Sequence, residues 1–557
     1  MLAGVAVLIV SAPACKSHSK KKKAEDTAKP VVNTGPQNGG HLRVPSNEPV
    51  YLNPVIQNQL DQANPLIFEG LVGLDARLEP VARLATEWDV AADGKKLTFK
   101  LRPGVKWHDG KPFTAKDVKF TFEAIRKTKV RSLWKAYMAA VASIETPDDM
   151  TVVVNYSEAF APALKTWTVG IIPEHVYNQG EHCNADKANN PDACIDKLTE
   201  SPANQEPVGT GPYTLQRWEQ GKRLILQANE GWWNKRPYIE SIEMRVDIPE
   251  DKVVSALKKG DIDFAQVVDI TQWQEQLQSS EVRQEFEVSD VIEAHFRVLA
   301  WNVERPVLAD KAVRQALTHA LNRDGVINDI LLGQARPLSG PFFPNMFGAD
   351  STIAPWPFDL RKASEMLDAA GYKAKDGARF SLQVIALQGQ SNPITHATLG
   401  LFRRDLRSIG VDLQLQHLSP QEFFNRTQTR DFDAAYFGWL PEIADPDPYG
   451  LLHSSMAQNG SNYASYKNPD VDKLLDEGRS STDRKARTKL YNQVHRIVHE
   501  DMPYTVLYAP YGHYAWSRRL RAVNPADIGV QPRFPGLAKW WIASDVRKSS
   551  TPGVPGT

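Results

Sequence analysis

Apolar and polar residues alternate in some stretches of the chain and recur every three or four positions in others. KLTFKLR (96–102) alternates with a period of two and therefore predicts a strand. Pro103 and Gly104 then predict a turn, and VKWHDG (105–110) ends at an Asp-Gly pair, which is a second turn signal. The stretch FDAAYF (432–437) is also typical of a strand.

A capped helix is predicted directly after these turns. Thr114 is followed three positions later by Asp117, which is the spacing of a capping box. Val118, Phe122 and Ile125 fall on one apolar face at helical spacing. The pattern predicts a helix that begins after Thr114 and buries this face.

Three further stretches predict helices. VVSALKKGDIDFAQ (253–266) has the pattern of a helix, a glycine stop and a short strand. Asp310 is placed to cap a second helix, and 480–501 predicts a third. Their inward positions are Val313, Ala316, Leu317, Ala320 and Leu321 in the second helix, and Leu490, Val494, Ile497 and Val498 in the third. Together these elements predict a mixed α/β fold.

The two ends of the chain lack such patterns. Residues 16–40 and 546–557 contain few apolar side chains, so we expect a flexible tether and a disordered tail. The lysine run at 20–23 lies in this tether, where solvation explains it, with weak attraction to anionic lipid headgroups as an addition.

An export signal is predicted at the beginning of the chain. Residues 1–15 contain an apolar stretch that is too short to span a bilayer and ends in small residues. Cys15 follows Ala-Pro-Ala, which is similar to a bacterial lipobox, and we expect this cysteine to carry a lipid anchor. An ordinary signal peptidase site is the alternative, because Ala12 stands where a lipobox usually has leucine and no basic residues precede the apolar stretch.

Length and charge narrow the class of protein. A chain of 557 residues predicts two or three lobes. Lys plus Arg and Asp plus Glu both number 66, so the net charge is zero, whereas a nucleic-acid-binding protein usually has a basic excess on one face. We therefore expect no nucleic-acid partner.

Two further cysteines, Cys183 and Cys194, flank a polar insert. In an exported protein such a pair predicts a disulfide, which would stabilise the fold by roughly 3 kcal/mol through loop closure. A metal site built from both cysteines and His182 is the alternative, but it lacks a second pair of ligands.

Motifs of the common enzyme classes are absent. The sequence contains no HExxH, GxSxG, P-loop or CxxC pattern, so we expect no catalytic residue, no metal and no cofactor. The GTG at 209–211 runs into Pro212 and predicts a turn rather than a phosphate-binding loop. His495 and His499 have a spacing that could bind a metal, but no third ligand is implied, which favours a structural role.

The loop GWLPEIADPDPYG (438–450) is the strongest candidate for a binding site. It follows a predicted strand and combines Trp439 with the carboxylates Glu442, Asp445 and Asp447. Three prolines stiffen the loop, and a rigid acidic loop beside an aromatic side chain suits a ligand with a cationic end and apolar groups. For Asp445 and Asp447 a turn-forming role is the favoured alternative, because Asp-Pro pairs are common in turns.

Three segments, taken in order, resemble the family 5 extracellular solute-binding proteins: ARLATEWDV–DGKKLTFKLRPGVKWHDGKPFTAKDVKFTFEAI (82–125), PVGTGPYTL (207–215) and AYFGWLPEIADPDPYG (435–450). The resemblance implies an α/β, three-lobed periplasmic-binding-protein clamshell, type II-like, with an inserted extra lobe. It places lobe I at 41–82, 205–300 and 505–545, the inserted lobe II at 83–204 and lobe III at 301–504.

The same resemblance implies the residues of the binding site. Glu442 matches the position of an aspartate that pairs with the ligand's α-ammonium in peptide-binding relatives. The other implied ligand-binding residues are Gly438, Trp439, Asp445, Trp134, Tyr137 and Asn302. The segments 46–54 and 339–344 match family segments as well, and Trp301, next to Asn302, is expected to pack in the core.

The resemblance further implies a function. We expect a monomeric substrate-binding lipoprotein of a peptide-type ABC importer, which captures peptides and delivers them to the permease subunits. Its location would be the periplasm or cell envelope, with the sequence leaving open which membrane holds the anchor. The alternatives are the same fold binding a metal chelate, sugar or other solute, a secreted hydrolase, and a purely structural envelope lipoprotein.

Overall fold

Strands and helices alternate along most of the chain, so the predicted mixed α/β fold is confirmed. The computed structural model describes residues 35–56, 61–129, 132, 134–293, 295–343, 346–388, 393–440, 445–458, 460–528 and 536–543. The predicted signal, Cys15, most of the tether, the tail and Glu442 lie outside these residues. From Pro36 onward the described residues form one compact unit.

The described strands, in chain order, are β1 (His41–Pro45), β2 (Val72–Leu74), β3 (Pro80–Ala82), β4 (Ala85–Val90), β5 (Lys96–Leu101), β6 (Val141–Asp148), β7 (Thr151–Tyr156), β8 (Tyr213–Glu219), β9 (Arg223–Ala228), β10 (Ser241–Arg245), β11 (Phe264–Gln266), β12 (Phe286–Ile292), β13 (Phe296–Trp301), β14 (Ala335–Pro337), β15 (Phe380–Leu387), β16 (Val411–Leu418), β17 (Ala434–Trp439), β18 (Tyr504–Ser517), β19 (Leu520–Arg521) and β20 (Trp541–Ile542).

The described α-helices are α1 (Asn64–Ile67), α2 (Ala115–Lys127), α3 (Lys135–Met138), α4 (Ala163–Thr166), α5 (Glu174–Tyr177), α6 (Glu181–Asn184), α7 (Ala193–Asp196), α8 (Val253–Lys259), α9 (Ile270–Gln276), α10 (Val282–Glu285), α11 (Pro306–Ala309), α12 (Lys311–His319), α13 (Arg323–Gly325), α14 (Leu360–Ala369), α15 (Pro393–Ser408), α16 (Pro420–Thr429), α17 (Tyr449–Leu452), α18 (Pro469–Ser480), α19 (Arg484–Asp501) and α20 (Pro525–Ile528). None of the described helices is both long enough and apolar enough to cross a membrane.

Three sheets organise the molecule. Strands β1-β10-β9-β8 and β4-β5-β7-β6 form two four-stranded sheets, which share one continuous hydrophobic core and are called the first half below. The large sheet has the order β11-β18-β13-β17-β15-β16, and its strands β13 to β17, with helices α11 to α19, are called the second half. Alternate residues of β13 and β17 enter two separate cores on opposite faces of this sheet, as the period of two requires.

The predicted lobe limits remain a prediction, but the strand pairing bears on one of them. The sequence places β13 at the end of the first lobe, whereas the strand is hydrogen-bonded to β17 of the second half. The chain therefore enters the sheet of the second half at Phe296.

The local predictions for individual elements are confirmed, except that the helix predicted over 480–501 begins only at Arg484, after its cap residue Asp483. Strand β5 covers the alternating stretch, and α2 begins with a reciprocal capping box between Thr114 and Asp117. Gly260 ends α8 in the left-handed conformation with φ of 74°, and Asp310 caps α12 by accepting from the Ala312 amide. These features depend on neighbours within a few residues, which explains why the sequence pattern identifies them.

The GTG segment lies outside helices and strands, just before β8, and its glycines allow a close approach to α1. A Cβ atom on Gly209 would lie 1.8 Å from the Ile67 carbonyl oxygen, and one on Gly211 would lie 2.4 Å from the Leu66 carbonyl oxygen. The Gly211 amide donates a 2.8 Å hydrogen bond to the Ile67 carbonyl. Only glycine fits where two backbones pass this closely.

The two cysteines of the polar insert lie in consecutive short helices. Cys183 of α6 and Cys194 of α7 are joined by a disulfide with the sulfur atoms 1.99 Å apart. Both side chains are fully buried. Sulfur atoms that are bonded to each other offer no thiolate to a metal. The alternative metal site, built from both cysteines and His182, therefore lacks its two cysteine ligands.

A carboxylic acid is buried in the first half. Glu69 is 8% exposed, and its Oε2 accepts from the indole nitrogens of Trp232 at 3.2 Å and Trp233 at 2.7 Å. It lines a cavity of about 410 Å³ together with Arg83. Burial raises the pKa of Glu69 to about 7, and the two indole donors oppose this shift.

This raised pKa predicts a pH dependence of stability. Between about pH 4.5 and pH 7 the folded protein keeps the Glu69 proton while the unfolded chain loses it, so the free energy of unfolding falls as pH rises. Glu69→Gln keeps an acceptor for the indoles and is expected to remove about 2 kcal/mol of this fall. Urea unfolding at pH 5 and pH 7.5 measures the difference. Glu230→Gln, at an exposed carboxylate, is the control and should change the pH dependence little; an unaltered slope in Glu69→Gln would refute the assignment.

Candidate functional site

A long strand connects the two halves, because its first part pairs with β13 of the second half and Tyr514 and Trp516 in its second part enter the core of the first half. The first part of β18 pairs with β13, and its second part pairs with β12 and β11. Strands β12 and β13 follow each other in the chain and are joined by residues 293–295. Two chain segments therefore cross between the halves side by side, which is the arrangement expected of a hinge.

A small cavity lies beside this crossing. It measures about 210 Å³ and is lined by Ser46 and Asn47, which belong to the segment 46–54 that matches a family segment. Gln266 of β11 and Tyr514 of β18 line it from the crossing strands. Side chains of both residues donate to Glu293 Oε1, Tyr514 at 3.3 Å and Gln266 at 2.5 Å, so two residues of the cavity wall are hydrogen-bonded to the residue that follows β12.

The end of β17 lies on the second half beside the same connection. Gly438 is opposite Arg297, and Trp439 is opposite Phe296, in the antiparallel pairing of β17 with β13. Gly438 is exposed, whereas Trp439 is partly buried against the core that contains Phe296. The predicted strand thus ends where the predicted binding loop begins.

One edge of β17 is unpaired at this end. Strand β15 pairs with β17 only through residues 384–386, which face 434–436. Among the described residues, 437–439 therefore have a strand partner on one side only. Free main-chain groups at such an edge can pair with an added extended chain.

The structure corrects the prediction that Asp445 binds ligand. Asp445 is 4% exposed, and its two carboxylate oxygens lie 2.5 Å and 3.1 Å from the guanidinium of Arg487 in α19. Burial alone would lower the pKa of Arg487, but the adjacent Asp445 carboxylate outweighs it and raises this pKa. The Asp445 carboxylate fastens the loop to α19 and is not available to a ligand.

Asp447 has the turn-forming role that the sequence analysis favours. Its Oδ1 accepts from the Tyr449 amide at 3.0 Å, and its Oδ2 lies 2.6 Å from Arg479 Nε. Burial raises the pKa of Asp447 despite the nearby Arg479. Two arginines from consecutive helices thus hold the second part of the loop in place.

Asn302 is also corrected to a structural residue. It is 2% exposed, and its Nδ2 donates 3.0 Å hydrogen bonds to the carbonyls of Arg430 and Phe432. Its Oδ1 accepts from the Glu304 amide, so the side chain has no donor left for a ligand. The neighbouring Trp301 is fully buried, which confirms that it packs in the core.

Trp134 and Tyr137 belong to the first half and do not meet Gly438 or Trp439 in a shared core. Trp134 is 9% exposed and packs in the core of the first half, with Tyr137 packed against the same core. The buried indole Nε1 of Trp134 has no hydrogen-bond partner among the described residues. Their role in binding stays a prediction.

The halves also touch away from the crossing strands. The Ala161 amide donates to the Arg479 carbonyl at 2.5 Å, and Glu79 pairs with Arg484 at 2.5 Å. Nearby, burial lowers the pKa of Lys165, although its ammonium is close enough to Asp445 to be favoured by that charge. The halves therefore touch at a second place besides the crossing strands.

The two histidines with metal-like spacing are structural. His495 Nδ1 accepts from the Asp350 amide at 3.0 Å, and His499 Nδ1 lies 2.9 Å from the Ser339 carbonyl. Burial lowers the pKa of His495 to about 4, so the ring is neutral. Within the described ranges, no group of three or more His, Cys, Asp or Glu could hold a metal ion.

Sequence reasoning missed the charged residues of the hinge connection. Glu293, His295 and Arg297 occupy alternate positions, with the buried Phe296 between the last two. A signal was present, since charged residues interrupt an otherwise apolar strand pattern with a period of two. Nothing local in that pattern indicates that Gly438 lies opposite.

Comparisons with known proteins agree with this geometry. A family model described as bacterial extracellular solute-binding proteins, family 5 Middle, matches residues 79–461. The oligopeptide-binding protein AppA of Bacillus subtilis (strain 168) is 28% identical over 564 residues, which cover 98% of this chain and 98% of that protein. Protein XP55 of Streptomyces lividans is 30% identical over 486 residues, covering 83% of this chain and 82% of that protein.

Solved structures show the same fold. The structure of AppA from Bacillus subtilis in complex with a nonapeptide has a TM-score of 0.75 and 28% identity, covering 91% of this chain and 100% of that chain. NikZ from Campylobacter jejuni in complex with Ni(L-His) has a TM-score of 0.74 and 24% identity, covering 91% and 99%, and is similar in fold.

Two halves joined by crossing strands, together with the similarity to these solved structures, define a solute-binding protein of the clamshell class. The family model covers well over half of the 557 residues. The chain belongs to the bacterial extracellular solute-binding proteins of family 5, and the predicted family and fold are confirmed.

Proposed function

We propose that this protein is the substrate-binding component of a peptide-type ABC importer, which captures a peptide between its halves and delivers it to the membrane permease. The unpaired edge of β17 at 437–439 carries this proposal. A peptide backbone added there gains main-chain hydrogen bonds that do not depend on its side chains. The similarity to an oligopeptide-binding protein over nearly the whole chain supports the same ligand class.

Closure follows from differential binding. Contacts such as Glu79–Arg484 join the halves, and a ligand that touches both halves stabilises the closed form over the open form. A dissociation constant in the micromolar range, roughly −8 kcal/mol, is sufficient for capture and release. Glu442 is proposed to pair with the ligand's α-ammonium, and Trp439, Trp134 and Tyr137 to contact its side chains.

The lipid anchor at Cys15, the attachment to a membrane and the monomeric state are parts of the same proposal. The anchor and the membrane attachment rest on the lipobox-like sequence before Cys15. Mass spectrometry of protein extracted from membranes would detect acyl chains on Cys15, and Cys15→Ser should release the protein from the membrane.

Native mass spectrometry of freshly purified protein tests the ligand class. We expect masses of bound peptides that disappear after partial unfolding and refolding, and a rise in Tm when a mixed peptide library is added back. Bound masses that match a metal chelate or a sugar, with no response to peptides, would refute the peptide ligand. Peptides recovered intact after long incubation are expected of a carrier, and cleaved peptides would indicate a hydrolase.

A further inference from the structure

A strip of three charged or ionisable side chains crosses from the first half to the second. Glu293, His295 and Arg297 alternate along the connection and remain partly exposed, while Phe296 and Val298 are buried. Strand β13 begins at Phe296, so Arg297 points to the opposite face of the sheet from Phe296 and Val298. Arg297 faces Gly438 in the pairing of β13 with β17.

The acid of the strip already has partners. Glu293 Oε1 accepts from Gln266 and Tyr514, and Oε2 lies 3.2 Å from His295 Nδ1. A Cβ atom on Gly512 would lie 2.2 Å from Oε1, so this carboxylate packs directly on the backbone of β18. Glu293 is therefore held toward β11 and β18 and forms no ion pair with Arg297.

The guanidinium of Arg297 is different. Across the part of the chain that the structure describes, it has no carboxylate partner and no hydrogen-bond acceptor. Burial raises the pKa of Tyr508, and the positive charge of Arg297 opposes this rise. Tyr508 is opposite Arg297 in β18, and its hydroxyl lies 3.2 Å from the Tyr436 hydroxyl. None of the described residues gives this partly buried cation a counter-charge, and a ligand carboxylate would supply one.

Gly438 makes room for this arrangement. A Cβ atom there would lie 2.1 Å from Arg297 Nη1, so the guanidinium lies directly over the glycine backbone. The same glycine belongs to the edge at which a peptide backbone is proposed to pair. Arg297 thus lies within reach of any extended ligand bound along 437–439.

We infer that Arg297 is a specificity-determining residue that binds a carboxylate of the ligand, so that the protein prefers peptides with an anionic group next to the hinge. This inference rests on the proposed function. The planar guanidinium can bind a carboxylate through two parallel hydrogen bonds, a geometry that an amide cannot match. The carboxylate could be an acidic side chain or the C-terminus of the peptide.

Calorimetric titration with alanine-based peptides of three to five residues tests the inference. One series moves a single Glu through the positions, a second replaces Glu by Gln, and both are made with a free and an amidated C-terminus. The wild-type protein is expected to bind the carboxylate form at one position about tenfold more tightly. Loss of preference on amidation assigns the C-terminus, and loss on the Glu-to-Gln exchange assigns a side chain.

Arg297→Gln is expected to reduce this preference to less than about threefold while affinity for neutral, amidated peptides stays within about threefold, since only the charge-assisted bond is removed. Arg297→Lys should keep part of the preference. Arg361→Gln, at an exposed position of α14, is the matched control and should bind as the wild type does. Melting temperatures of all variants verify folding.

Three results would overturn the inference. The wild-type protein could bind peptides without preferring a carboxylate, or Arg297→Gln could keep the wild-type preference; both outcomes leave the peptide-binding function intact. A wild-type protein that binds none of the peptides would instead contradict the proposed function itself.

Discussion

Replacing Arg487 by methionine is expected to lower the free energy of unfolding by about 3–5 kcal/mol. The substitution leaves the Asp445 carboxylate in a site where it is 4% exposed and has lost both guanidinium hydrogen bonds. Arg487 also donates to the Gly478 carbonyl, so its removal frees a second buried acceptor. Urea unfolding followed by circular dichroism measures the change.

A double-mutant cycle separates the pair from its surroundings. Asp445→Asn combined with Arg487→Met should cost less than the sum of the single changes, because no charge is left buried without a partner. Arg361→Met breaks the exposed pair with Glu365 and is expected to cost no more than about 0.5 kcal/mol. A loss below about 1 kcal/mol in Arg487→Met would show that the loop is not held by this pair.

Glu442→Gln is expected to weaken peptide binding by about 10- to 100-fold, because a charge-assisted bond to the ligand's α-ammonium is replaced by a neutral one. N-acetylation of the peptide removes the other partner and should weaken wild-type binding by a similar factor. Calorimetric titration of both proteins with both peptides completes the cycle, and the two changes together should cost little more than either alone.

Glu422→Gln is the matched control for this experiment. Glu422 is an exposed carboxylate in α16, so its replacement should leave peptide affinity unchanged. Undiminished affinity in Glu442→Gln, together with tight binding of acetylated peptides, would show that another group anchors the ligand or that the ligand is not a peptide.

Sequence patterns located the elements of this site better than the roles of its residues. The strand-like stretch 432–437 predicted a strand, and β17 indeed ends at Trp439, next to the predicted loop. The acidic loop and the family resemblance made Asp445 a candidate ligand residue, yet its partner Arg487 lies 42 positions further along the chain. No local spacing connects an acid in a loop with an arginine in a helix so distant in sequence.

Asn302 and Arg297 show the same limit of local sequence patterns, since one was wrongly expected at the binding site and the other was overlooked. Asn302 was expected in the cleft, but the carbonyls of Arg430 and Phe432 take its amide group. Arg297 was not noticed, because its position opposite Gly438 depends on how β13 and β17 pair. Pairing between strands that are far apart in sequence is fixed by the whole sheet and its two cores.

By itself, the sequence determined the elements, their caps and turns and, through three ordered motifs, the family. Capping boxes, glycine stops and two-residue alternation depend on residues that are close in sequence, so they can be recognised from the sequence alone. The tertiary structure alone decided which charged side chains meet each other and which remain available to a ligand. Burial and ion pairing depend on distances in space, and the chain brings such partners together only when it folds.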